Sequence, residues 1–141
     1  MDDLLKFKLG IGDFVSFEEI IPEGPLEDFK NGEGFLVTWI NIRAGAFNGA
    51  IKAHVRIDDF KRFQSQLKIL YRTVEGEDHF SCVEDWIDIK IKGDGIGHFN
   101  ANCVANDNTE NRNELHFSLL FDQTDLKESL HQLNQIIAEF E

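Results

Sequence analysis

Cysteine, proline and long apolar runs are all scarce in this sequence. Two cysteines among 141 residues do not make the disulfide framework of a small secreted domain, and a chain of this length buries a core without one. No apolar run approaches the length of a membrane-spanning helix, and the first residues are acidic where a secretory signal is basic. We therefore expect a single globular domain over residues 1–141 that is soluble and cytoplasmic.

Basic residues are also few. The chain has 14 lysines and arginines against 26 aspartates and glutamates, a formal net charge of −12. Residues 1–34 carry nine acids and three bases, and residues 75–88 carry six acids without a lysine or arginine, so these two segments hold the whole excess. Such a field repels nucleic acid and anionic membranes and speeds encounter with a basic partner. The alternative is a surface that only keeps the protein soluble.

Motifs for catalysis, cofactor binding and metal binding are missing. The sequence has no HExxH, GxSxG, CxxC or calcium-loop spacing. Cys82 and Cys103 fall at inward strand positions and are expected to be buried thiols, although a disulfide between them stays open. His54, His98 and His116 lie on polar strand faces, which favours surface histidines over a zinc site. We therefore predict a protein that is not an enzyme, with no catalytic residue, cofactor or metal ligand.

Period-2 patterning is clearest between residues 85 and 122. Isoleucines alternate with polar residues within Trp86 to Lys92, a glycine-rich turn follows at 93–95, and two more alternating strands span 99–105 and 115–121. Further predicted strands are Leu5 to Leu9, Phe14 to Phe17, Phe35 to Arg43, Gly49 to Ile57 and His79 to Val83.

Two segments do not show this regular alternation of apolar and polar residues. Phe35 to Arg43 is apolar on both faces around Trp39, which is typical of a central strand. Residues 18–33 contain both prolines and several acids, so they form either a binding loop or a strand that the pattern hides.

Helical periodicity occurs in two segments, which predicts helices over about 58–74 and 124–140. Their apolar stripes are Phe60, Phe63, Leu67, Leu70 and Val74, and Leu126, Leu130, Leu133, Ile137 and Phe140. Expected caps are Asp58 or Asp59, Thr124, and Gly76 in a left-handed conformation. The order of elements predicts an α+β fold: one antiparallel sheet of about six or seven strands with both helices packed on one face. The two halves share a rough hairpin-then-helix pattern, but their residues do not align convincingly.

The acidic segments are the best candidates for a binding surface, because carboxylates steer a basic partner and neighbouring aromatic residues anchor it. The candidate partner-binding residues are Glu18, Glu19, Glu23, Glu27, Asp28, Glu75, Glu77, Asp78, Glu84, Asp85, Trp86 and Asp88. Phe17, Ile20, Ile21, Phe29 and Phe80 lie among them, either as anchors or as core.

Several segments spread over nearly the whole chain carry a family pattern. They are Ile21 to Glu23, Phe35 to Ile42, Phe47 to Ala50, Asp58 to Leu67, Gly76 to Trp86, Gly95 to His98, and Leu115 to Leu119 followed by Asp122 to Leu126. In these segments the chain resembles the WapI-type immunity family, small cytoplasmic bacterial proteins associated with wall-associated contact-dependent toxins. The resemblance implies a non-enzymatic inhibitor that binds a cognate toxin domain, and it assigns no residue to that contact.

Two hypotheses of function follow. The first is a cytoplasmic immunity-type protein that neutralises a basic toxin, with a nuclease as the candidate, by presenting acids in place of nucleic acid phosphates. The second is a domain that binds a small ligand in a cavity between sheet and helices. The oligomeric state stays open under both.

Overall fold

The computed structural model describes residues 5–31, 33–107, 110 and 112–140. Eight strands and three helices lie in this part of the chain. They are β1 (Leu5–Gly10), β2 (Phe14–Glu23), α1 (Glu27–Lys30), β3 (Phe35–Ala44), β4 (Phe47–Arg56), α2 (Ile57–Thr73), β5 (Glu75–Ser81), β6 (Ile87–Asp94), β7 (His98–Asn106), β8 (Glu114–Asp122) and α3 (Gln123–Phe140). Each half of the chain therefore contains four strands and ends in a long helix.

The strands form two antiparallel sheets, β1 to β4 and β5 to β8, each paired in chain order. The α+β class is confirmed, as is the run of three strands now numbered β6 to β8, but the strands do not form one sheet of six or seven. Side chains of α3 close the outer edge of β1. The backbone N–H of Lys8 donates to Gln132 Oε1 at 2.9 Å, and Ser129 Oγ donates to the Lys8 carbonyl at 2.6 Å. Because a helix satisfies these groups, the first sheet ends at β1.

The two long helices pack against the sheets and connect them through side-chain contacts. They occupy residues 57–73 and 123–140, within one residue of the predicted 58–74 and 124–140. α2 packs against β5, α3 packs against β1, and the helices contact each other, so they do not lie together on one face of a single sheet. Among the described residues, no helix is both long and apolar enough to cross a membrane.

The predicted cap is confirmed at the start of α2 but not at the start of α3. Asp59 does accept from the backbone N–H of Arg56 at the start of α2, at 2.9 Å. At α3, however, Asp122 and Asp125 each accept from the other's backbone N–H at 3.0 Å, in place of a Thr124 cap. Gly76 has the positive φ that was predicted, 104°, but it already belongs to β5, and the residue that directly follows α2 is Val74, with a φ of 55°.

One aromatic cluster forms the centre of the core. Phe7 of β1, Phe17 of β2, Phe60 and Phe63 of α2 and Phe80 of β5 are buried, with ring centroids 5.3–6.4 Å apart in the contacting pairs. Most of these pairs meet edge to face, a favourable geometry for aromatic rings. The rings fill the centre of the space between the two sheets and α2.

Residues 18–33 contain the hidden strand that was one of the two alternatives. β2 continues to Glu23, and the short helix α1 follows. Phe29 of α1 is buried and stacks on Phe140 with ring centroids 5.3 Å apart. This segment is therefore tied to the core, and Phe29 is not a surface anchor.

Candidate partner-binding surfaces

β3 lies centrally in the first sheet, as its sequence predicted, but only one of its two apolar faces is buried. The buried side chains are those of Leu36, Thr38, Ile40 and Ile42. On the opposite face Phe35 is 38% and Trp39 40% exposed to solvent. Trp39 therefore points away from the core, although its place in an apolar strand suggested burial.

Three of the exposed apolar side chains of the first sheet lie next to one another. Strand pairing places Ile21 of β2 beside Val37 of β3, between Phe35 and Trp39 on the same face. Ile21 is 49% exposed. We name these four residues, Ile21, Phe35, Val37 and Trp39, the Trp39 face.

Charged residues border the Trp39 face with opposite signs on its two sides. Glu18, Glu19 and Glu23 lie on the β2 side, and Lys52, His54 and Arg56 lie on the β4 side. Glu23 Oε2 and His54 Nε2 are 3.0 Å apart, and the Arg56 guanidinium lies 5.7 Å from the centroid of the Phe35 ring. The patch thus has an apolar centre and a polar rim, the arrangement found in protein interfaces.

A β-bulge turns two consecutive carboxylates towards Trp39. Consecutive residues of a regular strand point to opposite faces, but Glu19 has a φ of 52° and the pairing of β2 with β3 shifts between Glu18 and Ile21. As a result, both glutamates line a depression of about 550 Å³ beside Trp39. Lys6 and Asn41 complete its lining. The bulge also explains why the alternation of β2 could not be followed in the sequence.

Hydrogen bonds hold Glu18 in this position. Its carboxylate oxygen Oε2 accepts from Ser16 Oγ at 2.7 Å and from Asn41 Nδ2 at 3.0 Å. Its backbone carbonyl accepts from Thr38 Oγ1 at 2.8 Å. Both side-chain donors reach the same carboxylate oxygen, so neither of them engages Oε1.

The outer face of the second sheet is polar. We name Lys90, Lys92, Asn100, Asn102 and Ser118 the polar face; strand pairing places them on neighbouring strands. Ser118 Oγ donates to Asn102 Oδ1 at 3.0 Å. Leu120, which is 77% exposed, lies beside Asn100 on this face. Two sheets of the same topology therefore present different chemistry to solvent.

The predicted partner-binding residues lie in three kinds of position. Glu19, Glu23, Glu27, Asp28, Glu75, Glu77, Glu84 and Asp85 are exposed, Glu18, Trp86 and Asp88 are half-buried, and Asp78 is buried. Trp86 packs against the core, and Asp88 is 2.9 Å from His79 Nε2. Of the apolar residues considered with them, Phe17, Ile20, Phe29 and Phe80 are core, and Ile21 alone belongs to the Trp39 face.

Asp78 is an unusual member of this set. Its side chain lies beside a cleft of about 710 Å³ between α2 and β5, with only 5% of the residue exposed. Oδ1 accepts from the backbone N–H of His79 at 2.8 Å, whereas Oδ2 is buried without a partner among the described residues. Loss of water around the carboxylate raises the pKa of Asp78 to about 7. It is therefore only partly ionised at neutral pH.

The two thiols are buried, and several histidines lie beside carboxylates. Cys82 and Cys103 are buried free thiols, as predicted, and burial raises the pKa of both, that of Cys103 to about 12. Since the thiolate is the nucleophile, these groups are unreactive at neutral pH. His54, His98 and His116 each approach a carboxylate, from Glu23, Asp94 and Glu114. In the described residues, no three His, Cys, Asp or Glu side chains are grouped to hold a metal ion.

Comparisons with known proteins place the chain in a family. No curated protein matches it. Among solved structures, the Trypanosoma bruciei MRP1/MRP2 crystal structures align with a TM-score of 0.43 and 11% identity, over 91% of this chain and 84% of that chain. A likeness at this level supports no conclusion about this protein. The family model described as "Immunity protein WapI-like family" matches residues 6–141. Since the match spans nearly the whole chain, this protein belongs to the WapI-like immunity protein family.

Proposed function

We propose that this protein is a non-enzymatic immunity protein that acts in the cytoplasm by binding and neutralising a cognate toxin domain. The family match over residues 6–141 carries the proposal. Immunity proteins act by occupying a toxin, which needs a complementary surface rather than a catalytic group. The unreactive thiols and the exposed apolar and acidic surfaces are consistent with that role.

Charge supports a basic toxin as the partner, and a nuclease is the class that suits it best. The net charge is −12, and eight of the predicted partner-binding acids are exposed. A nuclease binds phosphates with basic side chains, so a carboxylate surface competes for the same groups and accelerates encounter. The same charge disfavours nucleic acid and anionic membranes as partners of this protein.

Calorimetry with the toxin domain encoded beside this gene tests the proposal. We expect a one-to-one complex whose association constant falls at least tenfold between about 50 and 300 mM salt, because exposed charges are screened over this range. Replacing Glu19 and Glu23 by Gln together should weaken binding more than replacing Glu128 and Glu139 by Gln together, which removes two exposed acids of α3 outside the predicted set. Absence of binding would refute the proposed function, and binding that is indifferent to salt would refute its electrostatic part.

Intact-mass spectrometry tests whether the neutralisation is enzymatic. After incubation with this protein, a toxin inhibited by binding keeps its mass and regains activity when the complex is dissociated. Inhibition should also saturate at equal molar amounts. A change in toxin mass, or full inhibition by a small fraction of one equivalent, would show that the protein modifies the toxin instead.

A further inference from the structure

The Trp39 face is an apolar surface that the fold itself does not need. Ile21, Phe35 and Trp39 keep 38–49% of their surface exposed although the interior of the first sheet is fully packed by other side chains. Contiguous apolar patches on soluble proteins mark interaction sites more often than chance. Aromatic residues, and tryptophan above all, are enriched among the residues that dominate binding energy.

The second sheet provides an internal comparison. It has the same strand order and also ends in a long helix, yet its outer face is built mainly from lysines, amides and a hydroxyl, with Leu120 as its exposed large apolar side chain. A polar outer face is therefore sufficient for this architecture. Folding therefore does not explain why Trp39 and Phe35 are exposed on the outer face of the first sheet.

The charges beside Trp39 indicate what the partner presents. Glu18 and Glu19 line the depression next to the indole ring with one cation, Lys6, so the depression has an excess of negative charge. An arginine or lysine side chain entering it would lie against the indole face and meet two carboxylates. Cation–π contact of this kind is attractive, and it is strongest when the two groups are shielded from water.

We infer that the Trp39 face is the toxin-docking surface, and that the toxin covers it with an apolar patch while inserting a basic side chain between Trp39 and the carboxylates of Glu18 and Glu19. This inference rests on the proposed function, because it names the surface through which the toxin is bound. It also differs from a diffuse acidic surface, since it assigns the main contact to β2 and β3 rather than to residues 75–88.

Calorimetry on single variants tests this inference with the toxin domain encoded beside the gene. Trp39→Ala should weaken binding at least tenfold, Trp39→Phe should restore part of that loss, and Glu18→Gln should weaken binding severalfold. Leu120→Ala is the matched control, because it removes an exposed apolar side chain from the outer face of the second sheet. Its affinity should stay within twofold of wild type.

The outcomes separate the two proposals. If wild type does not bind the toxin domain, the proposed function fails. If wild type binds and Trp39→Ala binds equally well, the function stands and the docking surface is wrong. If the protein alone is a dimer by light scattering and Trp39→Ala makes it monomeric, the Trp39 face pairs two copies of this chain, and the inference is also overturned.

Fluorine NMR provides a readout that does not depend on a destabilising substitution. The protein, but not the toxin, is labelled with 5-fluorotryptophan, and Trp39→Phe identifies which of the two tryptophan signals belongs to Trp39. Adding the toxin domain should shift the Trp39 signal and leave that of Trp86, which packs against the core, nearly unchanged. A shift of the Trp86 signal alone would overturn the inference and favour the acidic segment at residues 75–88.

Discussion

The two sheets share their strand order and antiparallel pairing but not their outer faces. Their inner faces are alike: Ile40 in the first sheet and Ile89 in the second are both fully buried. Outside, the first presents the Trp39 face and the second presents the polar face. Because both sheets build the same core, the inner faces reflect folding. Folding does not determine the residues of the outer faces. The difference between these faces therefore indicates which of them is used for binding.

The largest expected effect tests whether the inner faces do form one shared core. Phe80 of the second sheet contacts Phe17 of the first, with ring centroids 5.3 Å apart. Phe80→Ala should lower the free energy of unfolding by about 3–5 kcal/mol in urea denaturation, because it leaves a cavity at this junction. Phe47→Ala, at a 65% exposed position, should cost less than about 0.5 kcal/mol. Similar costs at both sites would mean that the two sheets do not depend on a common core.

Asp78 is the exception to the apolar inner face of the second sheet. Burial raises its pKa from an ordinary 3.8 to about 7, so the folded state holds the proton more tightly than the unfolded state. Stability is therefore lost as pH rises from about 4 through 7. Asp78→Asn cannot titrate at this position and is spared this loss. Its free energy of unfolding, relative to that of wild type, should therefore rise by on the order of 1–3 kcal/mol between pH 5 and pH 8.

Urea denaturation at the two pH values measures the Asp78 effect. Glu77→Gln removes one charge from an exposed position of the same strand and serves as the control. The free energies of unfolding of Asp78→Asn and wild type could instead differ by the same amount at pH 5 and pH 8. That result would show that the Asp78 carboxyl does not titrate with a raised pKa.

Neither outer face should contribute much to stability. Trp39→Ala removes cross-strand contacts at a 40% exposed site, and Asn102→Ala removes the hydrogen bond from Ser118. Each should cost less than about 1 kcal/mol by circular dichroism in urea. A cost of several kcal/mol for Trp39→Ala would contradict the comparison, because the Trp39 face would then serve folding.

The sequence predicted the elements that obey simple periodicity. The two helices and the strands β6 to β8 follow regular apolar spacing, so they were found to within a residue or two. The second half of β2 was missed as a definite strand because the bulge at Glu19 changes the phase of its alternation. The cap of α2 was predicted correctly, whereas at α3 Asp122 accepts from the helix start in place of Thr124.

The candidate surface was less predictable than the fold. A strand that is hydrophobic on both faces predicts burial on both sides. The sequence pattern is the same whether the second face is covered by the protein itself or is exposed to solvent. The place of β3 was therefore found, but the exposure of Trp39 was not. The pattern common to the two halves was noted in the sequence but did not predict two sheets, because the inner positions are similarly apolar while the outer residues differ.

The smallest expected change in stability tests the Trp39 face most sharply. Glu19 has a φ of 52°, a conformation that costs a side-chain-bearing residue more than glycine. Glu19→Gly should therefore raise the free energy of unfolding by about 0.5–1 kcal/mol and yet weaken toxin binding, because it removes one of the two carboxylates beside Trp39. Asp85→Gly is the matched control: Asp85 has a φ of 56° and lies in the other acidic segment. It should gain similar stability without loss of affinity. If Asp85→Gly weakens binding and Glu19→Gly does not, the toxin is bound through residues 75–88, and strain at the bulge of β2 has no part in recognition.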